Sequence, residues 1–121
     1  MTQRTRRPQV HKFGGASLAD AAAVRHAVAL IVSHRAEPTV VVLSAMAGVT
    51  DALLDIAKRA VAGNVAGALK ESARLRARHV DVARAVLRGA SQRAEVVREI
   101  DESFQELDTL VRGLDAVREL T

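Results

Sequence analysis

The chain has 121 residues, 49% of them apolar and 2% aromatic, with no cysteine and a formal charge of +4. That length allows one modest core, the missing cysteines exclude a disulfide scaffold and a thiolate metal site, and so few aromatics argue against a base-stacking surface. Without Arg4, Arg6 and Arg7 in the opening MTQRTRRP, 15 basic residues face 14 acidic ones, so the body is nearly neutral and no nucleic-acid partner is expected.

Residues 1–9 read as a flexible basic tail, and residues 10–121 as the folded part. No apolar h-region follows the basic start, and no apolar run approaches the roughly 20 residues that span a bilayer. No membrane partner is expected, and the expected location is the cytoplasm.

Val10 to Phe13 reads as a short strand, ended by Gly14 and Gly15. Ser17 is the expected N-cap of the next helix, with Asp20 three positions on resembling a capping box and suiting the helix dipole. Val24, Val28 and Ile31 recur at helical spacing through about His34, giving one buried stripe. Pro38 disfavours a helical residue before it. TVVVLSA, Thr39 to Ala45, is a continuous β-branched run of the kind covered on both faces in a parallel sheet. Strand, helix and strand together make a right-handed βαβ unit.

After the second strand, Gly48 supplies a turn and Thr50 a cap. Leu53, Leu54, Ile56, Ala57 and Val61 then carry an amphipathic helix to Gly63 and Asn64. A further helix is expected from about residue 65 to 87, broken at Gly89, and another from about 91 to 111 or later. In the last one, Val97, Ile100, Phe104, Leu107, Val111 and Leu114 alternate spacings of three and four. This seam is too short for a free-standing coiled coil, so packing on a neighbouring helix of the same domain is expected. The fold class is α/β: a strand-helix-strand unit followed by about three helices, incomplete as a domain because parallel strands usually sit in larger sheets.

The corner after the first strand is where chemistry is most legible. Lys12, Phe13, Gly14, Gly15, Ala16 and Ser17 join a strand to a helix, with backbone N–H groups unobstructed by side chains, a geometry that holds phosphate. Lys12 adds a mobile positive charge for the oxygens of a transferred phosphoryl group. Ligands of open α/β sheets gather at the carboxyl ends of strands, where the segment from Ser44 to Thr50 also begins. The order of residues is neither a P-loop nor G-x-G-x-x-G. A Gly-Gly pair at a strand end is also found as a plain turn, and the residues alone leave both readings open. His11, His26, His34 and His79 lack metal-ligand spacing. Asp101, Glu102, Glu106 and Asp108 read as a solvated helix face.

VHKFGGASLAD resembles the N-terminal signature of the aspartate kinases, K-F-G-G-T-S, and VVVLSAMAGVTD is similar to their second signature, V-V-x-S-A-x-x-G-[VI]-T-[ND]. Two signatures in the same order are more specific than either glycine pair. The resemblance is strong over residues 10–62 and rests on pattern alone beyond them. It implies an amino-acid-kinase fold, a parallel-sheet sandwich, and transfer of the ATP γ-phosphoryl group to the β-carboxylate of L-aspartate, the first step toward lysine, threonine and methionine. By the same resemblance, Lys12 stabilises the phosphoryl oxygens, while Gly14, Gly15 and the helix starting at Ser17 cradle the phosphates. Ser44 and Thr50 meet aspartate. ATP and Mg2+ bridging its phosphates are the implied cofactors, and the parent protein is expected to be a homo-oligomer.

Ala16 replaces the usual threonine, which removes one hydroxyl from the corner but no backbone amide. The family's acidic substrate contact, substrate arginine, catalytic aspartate and base pocket would all follow Thr121, so the 121 residues alone are expected to show negligible turnover. HKFGG.SLAD leans toward the form fused to homoserine dehydrogenase. The alternative reading is a non-catalytic helical interaction module, in which residues 65–120 pair with a partner helix.

Overall fold

The computed structural model describes residues 7–120. Most of the tail expected over residues 1–9 lies outside them, and Gln9 already belongs to a strand. The chain divides after Ala47 into two compact units.

In the first unit, strand β1 (Gln9–Phe13) is followed by a 3-10 turn (Gly15–Leu18), helix α1 (Ala21–Ser33) and strand β2 (Thr39–Leu43). The strands pair in parallel, with Gln9 opposite Thr39, Lys12 opposite Val42 and Phe13 opposite Leu43. The ladder is prolonged at both ends, by Gln9 N–H donating to the Pro38 carbonyl (2.8 Å) and Ser44 N–H donating to the Phe13 carbonyl (3.0 Å). Alternation sends His11 and Phe13 to one face of the sheet and Val10 and Lys12 to the other. Phe13, Leu18 and Ala27 form the small core, with Val24, Ile31, Val41 and Met46 packed against it.

Two expectations are corrected here. The buried stripe of α1 runs through Val24, Ala27 and Ile31, whereas Val28 is 46% exposed. The short side chain of Ala27 lets the helix approach the thin sheet, and a valine one residue later points past it. The second strand is not covered on both faces: Val40 and Val42 are about half exposed, and Val10 beside them is 66% exposed.

The second unit is three helices: α2 (Val49–Val61), α3 (Val65–Val86) and α4 (Ala90–Leu120). Gly48 precedes α2 with φ of 80°, a left-handed conformation that favours glycine, and its carbonyl accepts from Ala52 N–H. The helix is therefore capped by backbone, and Thr50 lies inside its first turn instead of capping it. At the other end, Asn64 N–H reaches the Arg59 carbonyl (2.9 Å) in a Schellman-type closure. The Asn64 side chain then accepts from Gly67 N–H and starts α3.

Ile56, Ala60, Ala68, Ser72, Leu75, Val80 and Val111 are buried. The seam of α4 holds from Val97 to Val111, each of its apolar members at least partly covered, and fails at Leu114, which is exposed. It packs within the same chain, as expected. Two acids expected on a solvated face bridge helices instead: Asp108 accepts from the buried Ser72 hydroxyl (2.6 Å), and Asp101 pairs with Arg76 (2.5 Å). Glu102 and Glu106 are exposed. The architecture is α/β, a two-stranded parallel sheet with four helices, short of a complete sandwich.

Candidate functional site

The carboxyl ends of the two strands bring the first unit's candidates together. Lys12, next to last in β1, is exposed and makes no ion pair among the described residues. Its neighbour Phe13 is anchored in the core, so the strand fixes where the lysine's flexible stem begins. The chain then leaves the sheet at Gly14, which is extended, and a Cβ placed there would meet nothing within 4 Å. The mouth of the corner is open.

Gly15 is different. A Cβ there would stand 3.4 Å from the Ala47 Cα and 3.6 Å from the Ala45 carbonyl oxygen, so the loop leaving β2 lies directly against it. A Cβ would sit there in ordinary van der Waals contact, so the distance marks how near the second loop lies and does not by itself demand a glycine. Both loops therefore border one space, as the strand ends imply.

The 3-10 turn begins with Ser17 N–H donating to the Gly14 carbonyl (3.1 Å). The N–H groups of Gly14, Gly15 and Ala16 precede that first bond, and no backbone carbonyl among the described residues accepts from them. These are the donors the corner offers an anion.

Ser17 itself is not the N-cap of α1. That role falls to Asp20, whose carboxylate accepts from Ala23 N–H at 2.8 Å. The positive end of α1 is thus already closed by a carboxylate of its own chain, and the expected helix start at Ser17 gives way to a separate turn. Ser17 stays exposed within that turn, its hydroxyl without a hydrogen bond among the described residues. The sequence signal for the true cap was present, since Asp and Ser are both strong cap formers; an intervening 3-10 turn is what the spacing did not show.

Ser44 is exposed, and its hydroxyl donates to the Ala45 carbonyl at 2.8 Å. The proton is used to brace the loop lying on Gly15, which leaves the hydroxyl oxygen as an acceptor. Thr50 belongs to the second unit, exposed in the first turn of α2.

The histidines make local contacts. His11 and His34 rings lie 4.8 Å apart, His11 bonds the Gln9 side chain and His34 the Leu30 carbonyl. His79 bonds the Leu75 carbonyl beside Phe104. Among the described residues, no three His, Cys, Asp or Glu side chains gather as a metal-holding set.

Residues 7–120 match the model of the amino acid kinase family. Aspartokinase 3, chloroplastic, of Arabidopsis thaliana is 33% identical to this chain over 114 residues, covering 93% of the chain and 19% of that protein. The chain thus spans about a fifth of the length of this curated relative.

Proposed function

This chain belongs to the amino acid kinase family, a family of phosphotransferases, and from that membership we propose that it supplies the phosphate-holding part of an aspartate kinase site. The reaction is transfer of the ATP γ-phosphoryl group to the β-carboxylate of L-aspartate. The carboxylate is already ionised at neutral pH, so the site needs positioning and charge neutralisation more than a base.

Each residue then has a task. Gly14, Gly15 and Ala16 N–H groups hold phosphate oxygens, with the Ser17 hydroxyl as a further donor at the same turn. Lys12, on its mobile stem, follows the charge that grows on the transferred group. Ser44 and Thr50 are assigned to aspartate on the strength of the second signature. Ser44 is bound to a narrower part, as its proton already braces the loop. Magnesium, where it accompanies the nucleotide, would supply further charge neutralisation beside the Gly14–Ser17 corner.

The observation that carries this reading is the open Gly14 corner, with Lys12 exposed beside it and the second loop lying on Gly15. Titration of the 121-residue chain with ATP, with and without magnesium, followed by amide NMR, is expected to move the resonances of residues 14–17. Lys12→Ala is expected to weaken that response at least tenfold, or about 1.4 kcal/mol. A coupled ADP-release assay on the chain alone is expected to show negligible aspartate-dependent turnover. If millimolar ATP leaves residues 14–17 unmoved while the chain stays folded, the reading fails.

A further inference from the structure

The two loops at the carboxyl ends of the strands are rooted in one small core. Phe13 precedes the Gly14 corner and Leu18 closes its 3-10 turn, and these two form a buried cluster with Ala27 of α1. From the second loop, Met46 packs on that cluster, as do Val24 and Ile31 of α1 and Val41 of β2.

Met46 stands between the two residues that lie against Gly15. A Cβ built at Gly15 would be 3.4 Å from the Ala47 Cα and 3.6 Å from both the Ala45 carbonyl oxygen and the Ala47 nitrogen. At its root the loop is tied by Ser44 N–H donating to the Phe13 carbonyl (3.0 Å), whereas the Ser44 hydroxyl donates within the loop, to the Ala45 carbonyl (2.8 Å). Ala45 and Ala47 carry only methyl groups. Of residues 44–47, Met46 thus has the one side chain long enough to anchor the loop in the core that also holds the phosphate corner. An unbranched thioether fills an irregular gap with little strain, and close packing makes such a position sensitive to lost volume.

We propose that Met46 is a positioning residue: by filling the core of Phe13, Leu18 and Ala27 it sets how closely the second loop, with Ser44, stands to the phosphate donors of Gly14, Gly15 and Ala16. What the gap holds rests on the phosphate reading given above; its width does not. Group transfer depends on holding donor and acceptor close and aligned, and a displacement of about 1 Å can cost about a hundredfold in rate. Both loops take their place from one core, so a change at Met46 moves one relative to the other.

NMR of the 121-residue chain, without and with ATP, tests this. In the ligand-free chain, the NOEs between the Gly15 Hα and Ala47 are expected to be lost in Met46→Ala and kept in Met46→Leu, which restores apolar volume. With ATP, Met46→Ala is expected to weaken the response of residues 14–17 about fivefold, and Met46→Leu to keep it. Val24→Ala thins the same core from α1 and is expected to leave both readouts unchanged, which separates positioning from a general loss of packing. If Met46→Ala unfolds the first unit, Met46→Val carries the same comparison with a smaller truncation. Full NOEs in the truncated variant, an unchanged ATP response once they are lost, a Met46→Leu chain that keeps neither, or an equal loss in Val24→Ala overturns the proposal. A wild-type chain whose residues 14–17 ignore ATP overturns the phosphate reading instead, and the ligand-free NOEs still decide whether Met46 sets the gap.

Discussion

The two compact units are built on different principles. Up to Ala47, three buried side chains, Phe13, Leu18 and Ala27, hold one helix to a two-stranded sheet, while Val10, Val40 and Val42 stay open on the other face. From Gly48 onward, three helices close around Ile56, Ala60, Ala68, Leu75, Val80 and Val111 and add a buried hydroxyl–carboxylate bond across α3 and α4. The candidate phosphate corner is therefore on the thinly built unit. The well-packed one ties its one buried polar side chain among the described residues, Ser72, to Asp108. Elements that hold ligands are commonly drawn from the less stable end of a molecule, and here that division coincides with the boundary between the units.

The largest effect that bears on this contrast is expected from Ile56→Ala. Ile56 is 1% exposed, so its truncation should cost about 3 kcal/mol through lost transfer energy and the cavity left behind. Hydrogen exchange should show the loss across α2, α3 and α4. An equal loss of protection in α1 and both strands would mean that the two cores unfold as one, and the contrast would disappear.

A middle-sized effect probes the thin unit. Asp20→Ala removes the side-chain acceptor for Ala23 N–H, which typically costs about 1 kcal/mol. In a unit with so little core this should appear as faster exchange through the first turn of α1, with α3 and α4 unaffected. It also tests the corner: without the carboxylate at the N-terminus of α1, phosphate should be tolerated there at least as well as before. Weaker ATP response at residues 14–17 would show that the cap positions the turn.

How far the sequence anticipates this depends on what each residue is competing with. The helices of the second unit were legible because Gly48, the Gly63-Asn64 pair and Gly89 interrupt otherwise unbroken helical spacing. The seam of α4 was legible to Val111 for the same reason. Leu114 continues the spacing without a partner, which periodicity has no means of registering. In α1, helical spacing marks Val28, but the distance between helix and sheet selects the smaller Ala27 beside it. Lys12, Gly14 and Gly15 stand out by motif, and the motif carries their roles. Ser17 has the residue type and spacing of a cap, but Asp20 three residues later, as strong a cap former, starts the helix. The hydroxyl of Ser44 turning to its own neighbour's carbonyl is a choice of rotamer, which a sequence does not contain.

The smallest expected effect is at the edge of the well-packed unit. Arg76 pairs with Asp101 across α3 and α4, and the bond to Asp101, with its charge second, raises the guanidinium above its ordinary value. A raised basic group contributes stability that is fully present below its unfolded-state value and lost only as pH rises through the folded one. Across the ordinary range, then, the pair should give no pH dependence from the arginine side. The guanidinium is solvent-exposed, so screening leaves the pair little net worth. Arg76→Gln should shift the urea midpoint far less than Ile56→Ala, by an amount that shrinks further in 0.5 M salt, where the Debye length falls to roughly 4 Å. A large, salt-insensitive loss would place the stability of the helical unit in its polar seam and not in its apolar core, which is the half of the contrast that Ile56→Ala alone does not isolate.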